Sequence, residues 1–175
     1  MSGWHDVDNV ALVQLHDTVQ DRWHQATSWP GKSVFSHAGA ISGGRMLVCD
    51  GVQVVREENR RRYAPSDECW LGSIDPAAPA VIAWTRVPSH PGQARYRMAA
   101  LAHGDRFLFI GGSANPYNYN GIGYDGQPSE PESVALMYDL RALAVSSYGI
   151  HVIGGMRAGQ QVSATIVAVK PDRQN

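Results

Sequence analysis

Two stretches of this chain carry the same landmarks at the same spacing, which constrains the fold more than any other feature. Trp23 stands 14 residues before His37 and 27 before Asp50, and Trp84 stands 14 before Met98 and 27 before Gly111. An apolar run closes each stretch: Met46 to Cys49 runs into Asp50-Gly51, and Phe107 to Ile110 runs into Gly111-Gly112. Ile150-His151-Val152-Ile153 before Gly154-Gly155 repeats that ending. Recurrence at a period on the order of 40 to 60 residues marks an array of similar supersecondary units. It specifies architecture better than chemistry.

Composition narrows the partners. The chain has 175 residues, 43% of them hydrophobic, enough for a sizeable core in one domain. Its net charge is −1 with scattered basic residues, so no counterion-releasing nucleic-acid surface is expected. Arg60-Arg61-Arg62 follows Glu57-Glu58 and reads as a solvated loop. The two cysteines, Cys49 in an apolar strand and Cys69 beside Trp70, have the setting of small buried hydrophobes. They can approach if their strands are adjacent, but make neither a disulfide framework nor a zinc site. The polar N-terminus lacks an apolar leader core and no run approaches membrane-spanning length. A cytoplasmic protein, without membrane contact, is the expectation.

Short apolar strands alternate with turn residues, and no convincing long amphipathic helix appears. Strands are expected at Val10–Leu15, around Trp23, and at Phe35–Ile41, Met46–Cys49, Cys69–Ile74 and Val81–Val87. Others fall at Arg97–Ala102, Arg106–Ile110, Val134–Tyr138, Ala142–Ser146, His151–Ile153 and Ala164–Val169. Gly43-Gly44 supplies a hairpin turn, and Arg56–Asp67 reads as a charged loop. Four short antiparallel strands per unit suit a propeller blade.

A small-residue strand, an apolar strand ending in Gly-Gly, a strand ending in Tyr-Asp, and then a Trp succeed one another. This order resembles the kelch repeat, over residues 10 to about 170. Gly111, Gly112, Tyr138, Asp139, Trp84, Gly154 and Gly155 carry the resemblance. Asp50-Gly51 departs at the first glycine, and Ile74-Asp75 replaces the tyrosine. The resemblance implies an all-β, incomplete kelch-type β-propeller, similar to bacterial kelch proteins and to the central domain of galactose oxidase. The diglycine would permit positive φ at a strand end, and an outer-strand Trp would cover the gap between blades.

On this reading residues 1–175 are one partial propeller domain. Residues 10–30 give the outer half of a blade and 34–90 a complete blade. Residues 95–140 give a blade lacking its outer strand, and 142–170 the inner strands of a last one. Asp139 to Gly154 spans 15 residues where the other units imply 33 to 36, hence the missing strand. Val134–Tyr138 would then be an exposed edge, and self-association through uncovered edges and faces is expected. About three blades, against the four to eight of closed propellers, also fit a fragment of a longer chain.

The resemblance places one set of connections on a common, often ligand-bearing face: residues 30–35, 55–67, 88–96 and 113–131. Tyr117, Asn118, Tyr119, Asn120, Tyr124 and Asp125 cluster in the last, where aromatic faces beside amides suit a polar ligand with apolar patches. The same residue types also build self-packed loops. Arg95 and Arg97 precede an inner strand, where related propellers aim a basic side chain at the central entrance. There a guanidinium can take a ligand carboxylate or pair within the blade.

The seven histidines show no metal-ligand spacing, and His37 and His151 read as satisfied strand histidines. No nucleophile elbow or phosphate loop appears. No metal and no cofactor is expected, and the copper ligands of galactose-oxidase-like enzymes are not carried over. The leading expectation is a non-enzymatic scaffold presenting loops to a protein or glycan partner. The alternative is a remnant of a carbohydrate-active kelch enzyme, oxidase-like or sialic-acid-epimerase-like.

Overall fold

The computed structural model describes residues 2–5, 8–58, 60–141, 144–149, 156–157 and 161–162. These residues form strands and no helix. In chain order they are β1 (Gly3–His5), β2 (Asp8–Val10), β3 (Gln14–Asp17), β4 (Arg22–Gln25), β5 (Ala38–Ser42) and β6 (Arg45–Cys49). Then come β7 (Val52–Glu57), β8 (Arg60–Pro65), β9 (Cys69–Ile74), β10 (Ile82–Val87) and β11 (Ala99–His103). The last are β12 (Arg106–Ile110), β13 (Val134–Asp139), β14 (Ala144–Gly149), β15 (Met156–Arg157) and β16 (Gln161–Val162).

Two antiparallel four-stranded sheets, in the orders β10-β9-β6-β5 and β11-β12-β13-β14, make up the centre. One core joins them. Leu47, Cys49, Cys69 and Val87 of the first sheet pack with Phe107, Phe109, Leu136 and Tyr138 of the second and with Met98 just before it. A second core joins Val48 and Ile82 to Val13, Ala26 and Trp29 beside the β3–β4 hairpin. Trp84, on the outer strand β10, meets Trp29 edge-on at 5.2 Å and its Nε1 donates to the Thr27 carbonyl at 3.5 Å. It therefore closes the gap between that hairpin and the first sheet. Trp23, its repeat counterpart on β4, is 66% exposed and stacks on His16.

The sequence repeat is a backbone repeat. Phe35 bridges Val52 as Tyr96 bridges Ser113, an offset of 61 in each case. Ser36 and Arg97 both have positive φ (53° and 61°), as do Asp50 and Gly111 (64° and 68°) and Gly43 and Gly104 (55° and 57°). Gly112, at φ 79°, is the most restricted of these positions: a Cβ there would lie 2.7 Å from Met98 Cγ and 3.0 Å from the Tyr96 carbonyl. Gly111 has open space around the same direction. Gly112→Ala is expected to cost about 2 kcal/mol and Gly111→Ala less, as urea unfolding of the two variants would measure.

Three expectations need correction. Val134–Tyr138 is not an edge, and the sheet of residues 95–140 does not lack its fourth strand, because β14 pairs with β13 along its whole length, Val134 opposite Gly149 and Asp139 opposite Ala144. A tight reversal makes this pairing local. Asp139 accepts hydrogen bonds from the Arg141 backbone and guanidinium, while Leu140 N–H donates to the Asp105 carbonyl. The Arg141 bonds, the guanidinium's first, hold the Asp139 carboxyl down at about 2, with Arg106 adding to them. Ala144–Ser146 thus belongs to this sheet and is no inner strand of a further unit, while residues 142 and 143 lie outside the described residues. Within the expected 142–170 unit, Gly154, Gly155, His151 and Ala164–Val169 lie outside the described residues.

The charged loop at Arg56–Asp67 is instead largely the hairpin β7–β8, in which Val52 pairs with Pro65 and Glu57 with Arg60. Its charges sit at the exposed turn, while Val52 and Val54 turn inward with the period of a half-buried strand. Lastly, Cys49 and Cys69 face each other across β6 and β9 and are joined as a disulfide, Cα to Cα 4.1 Å.

Candidate binding cleft

Short connections between the sheets set the site. The polypeptide leaving β10 is pinned to the end of β6 by a buried ion pair. His90 Nε2 lies 2.8 Å from Asp50 Oδ2, and both side chains are 0% exposed. The same carboxylate oxygen accepts from the Arg95 backbone N–H at 2.7 Å. Nδ1 of His90 faces the Pro91 carbonyl at 3.0 Å. Burial pulls the His90 pKa down, but the Asp50 hydrogen bond and charge, helped by Pro91, outweigh it and hold the imidazole above its ordinary value. With an acceptor at each ring nitrogen, the imidazolium is the form that satisfies the site. Tyr138 donates its hydroxyl to the Pro88 carbonyl at 3.1 Å, and Arg97 N–H donates to the Ser36 carbonyl.

That pinned segment separates two arginines with different fates. Arg95 is buried, with Nη1 donating to the Val134 carbonyl at 2.6 Å and to the Gly111 carbonyl at 3.4 Å. Desolvation lowers its pKa, against the charges of Glu132 and Asp50. It braces the second sheet and presents nothing to a ligand. Arg97, at its left-handed φ, turns instead onto the Tyr96 and Tyr117 rings, 4.9 and 5.1 Å from their centroids.

Around Arg97 opens a cleft of about 260 Å³ lined by Trp4, Phe35, Ser36, Val54, Arg61, Tyr63, Tyr96 and Tyr124. Tyr63 and Tyr124 stack at 3.7 Å, and Phe35 meets Tyr63, Tyr96 and Trp4 at 5.8 to 6.3 Å. Arg61 lies 5.6 Å over the Trp4 ring. Burial raises the Tyr124 pKa, with the neighbouring tyrosines adding to it and Arg97 opposing. All four connections expected on one face contribute residues in or beside them: 30–35, 55–67, 88–96 and 113–131.

The remaining sequence candidates divide sharply. Tyr117 holds Arg97 and packs edge-on to Tyr96. Tyr119 is 78% exposed and is not part of the cleft lining. Asn118, Asn120 and Asp125 shape the loop: Asn118 N–H donates to the Ile122 carbonyl, and Asn120 Oδ1 accepts from Ile122 N–H. Asp125 Oδ1 accepts from Asn115 Nδ2 and Gln127 N–H, which keeps its pKa below the ordinary value. Sequence reading missed Trp4, Phe35, Arg61, Tyr63 and Tyr96. Each is an ordinary apolar or basic residue in its local run, and only the convergence of four separated segments gives it a role. His37 stacks on Trp29, with burial lowering its pKa and its Nδ1 without a hydrogen-bond partner. No group of three or more metal-ligating side chains occurs among the described residues. No helix among them is long and apolar enough to cross a membrane.

No family model matches the chain, and no curated protein matches it. Among solved structures, that of YjhT is similar in fold, with a TM-score of 0.65 at 13% identity. The match covers 90% of this chain and 48% of YjhT, so the chain spans about half the length of that structure.

Proposed function

We propose that the chain is a kelch-type propeller scaffold whose loops bind a protein or glycan partner at the aromatic cleft. One observation carries the reading: four separated connections, together with Trp4 of β1 and Arg97 just past the third connection, set five aromatic side chains and two guanidinium groups around one opening. Concave, aromatic-lined sites with few polar groups are where binding concentrates. The duplicated backbone and the Trp84 cover over the first sheet support the kelch and propeller part. The Asp50–His90 pair supports no catalytic alternative, since both side chains are closed off from solvent and bound to backbone groups. Self-association is proposed through strands that, among the described residues, are paired on one side alone, as β3 is with β4. The Cys49–Cys69 disulfide supports an oxidising compartment over the cytoplasm.

Tyr124→Ala tests the reading on glycan and peptide arrays. Removing one face of the Tyr63 stack is expected to weaken any array binding about tenfold or more while leaving thermal unfolding nearly unchanged. Array binding indifferent to this substitution, or absent for the unmodified chain, would refute the cleft as the binding site.

A further inference from the structure

Resting on that binding reading, the lining chemistry assigns a narrower ligand: we infer that the cleft takes an aromatic ring bearing a carboxylate. The carboxylate belongs to a free aromatic acid or to an aromatic residue at a peptide C-terminus. Two features of the lining decide it. First, Arg97 and Arg61 are its only charged groups, and neither has a carboxylate partner among the described residues. Nearby acids are committed elsewhere: Asp125 to Asn115 and Gln127, and Glu57 to Arg62. The Arg97 guanidinium is anchored over the Tyr96 and Tyr117 rings, and its N–H fork suits a planar carboxylate.

Second, the rest of the lining is rings, one valine and one serine, with no carboxylate or carboxamide side chain. Recognition of a polyol needs acceptors for several hydroxyl donors, and among the lining side chains only the tyrosine and serine hydroxyls supply them. Flat ring faces beside a cation instead favour a flat apolar body with one anionic end. The opening, about 260 Å³, lies at the small end of ligand sites and suits a single ring with a short substituent. The left-handed Arg97 backbone (φ 61°) places this side chain in the cleft, while Arg95 is buried away from it.

Isothermal titration calorimetry of the full chain with four probes tests the inference. The probes are 4-hydroxyphenylacetate, its neutral amide, glucuronate, and N-acetylglycylphenylalanine with a free C-terminus. Saturable binding of the aromatic acid is expected, at least about tenfold tighter than the amide or glucuronate. The dipeptide binding as tightly as the free acid would identify a peptide terminus as the source, and weaker binding a free acid. Arg97→Gly removes the guanidinium while suiting the positive φ, so the variant should fold and lose the preference for acid over amide. Arg97→Lys should retain only part of it.

Equal binding of acid and amide, glucuronate binding as tightly as the aromatic acid, an unchanged preference in Arg97→Gly, or silence of all four probes would each overturn the inference. The broader reading fails separately. If array binding still depends on Tyr124 while these probes are silent, the cleft binds something of different chemistry. If array binding ignores Tyr124, the cleft is not the site.

Discussion

Asp50→Ala is expected to destabilise the chain by about 3–5 kcal/mol, the cost of removing one partner from a buried ion pair. The substitution leaves the His90 imidazole without its counter-charge and the Arg95 N–H without its acceptor. It also puts alanine at φ 64°, where the repeat counterpart is Gly111. Asp50→Gly separates the two effects, since it relieves the backbone but still deletes the carboxylate. A loss nearly as large in Asp50→Gly would show that the ion pair dominates. A loss under about 1 kcal/mol, the size expected of an ordinary surface position, would refute the lock.

The same pair gives a pH signature. The folded pKa of His90 is raised above the ordinary imidazole value. Its contribution to stability is therefore fully present below the unfolded pKa, near 6.5, and is lost as pH rises through the folded value. Urea unfolding of the unmodified chain should show a fall in stability as pH is raised from about 6.5, and His90→Gln should flatten it. A stability that rises over the same interval would contradict an imidazolium at this site.

Removing the Cys49–Cys69 disulfide, by Cys49→Ala with Cys69→Ala, is expected to cost about 3 kcal/mol. The bridge closes a loop with a sequence separation of 20, and the entropy released to the unfolded chain on opening it is of that order. Both residues are fully buried where the two central sheets meet, and Cys69 Sγ lies 3.0 Å from the Tyr138 hydroxyl. The alanines therefore also leave space in a core that also holds Phe107 and Phe109. Denaturant unfolding of the unmodified chain with and without reductant isolates the bridge from the packing. If reductant leaves the midpoint unmoved while mass measurement shows two free thiols, the bridge contributes nothing.

How far each feature could be read ahead follows from its range along the chain. The 61-residue repeat, the strand alternation and the diglycine ends are local patterns, because side-chain period and allowed φ are set by neighbouring residues. For that reason Gly111 and Gly112 were recognisable as positive-φ positions, and Trp84 as the side chain covering the gap beside its sheet. The β7–β8 hairpin was equally local, but its charged turn masked the alternation of Val52 and Val54. At Arg95 and Arg97 the local rule failed. Residues two apart in extended backbone share a face, yet the positive φ of Arg97, just before β11, breaks the alternation, so Arg95 is buried against the second sheet and Arg97 enters the cleft.

The rest depends on register and on contacts between distant segments, which no local pattern encodes. Cys49 and Cys69 bond because β6 and β9 pair in the one register that sets them opposite. Ala144–Gly149 carries an apolar and small-residue pattern that suits either an inner strand of a further unit or the fourth strand of this one. The tight turn at Asp139 settles the choice, since pairing across a short reversal costs less chain entropy than pairing with a remote strand. By itself, then, the sequence determined an all-β repeat with its turns and strand ends. Tertiary structure alone decided which strands are neighbours, that Asp50 meets His90, and that Trp4, Phe35, Tyr63, Tyr96 and Tyr124 surround Arg97. Those meetings are set by long-range packing, where each side chain's role depends on what the rest of the fold brings to it.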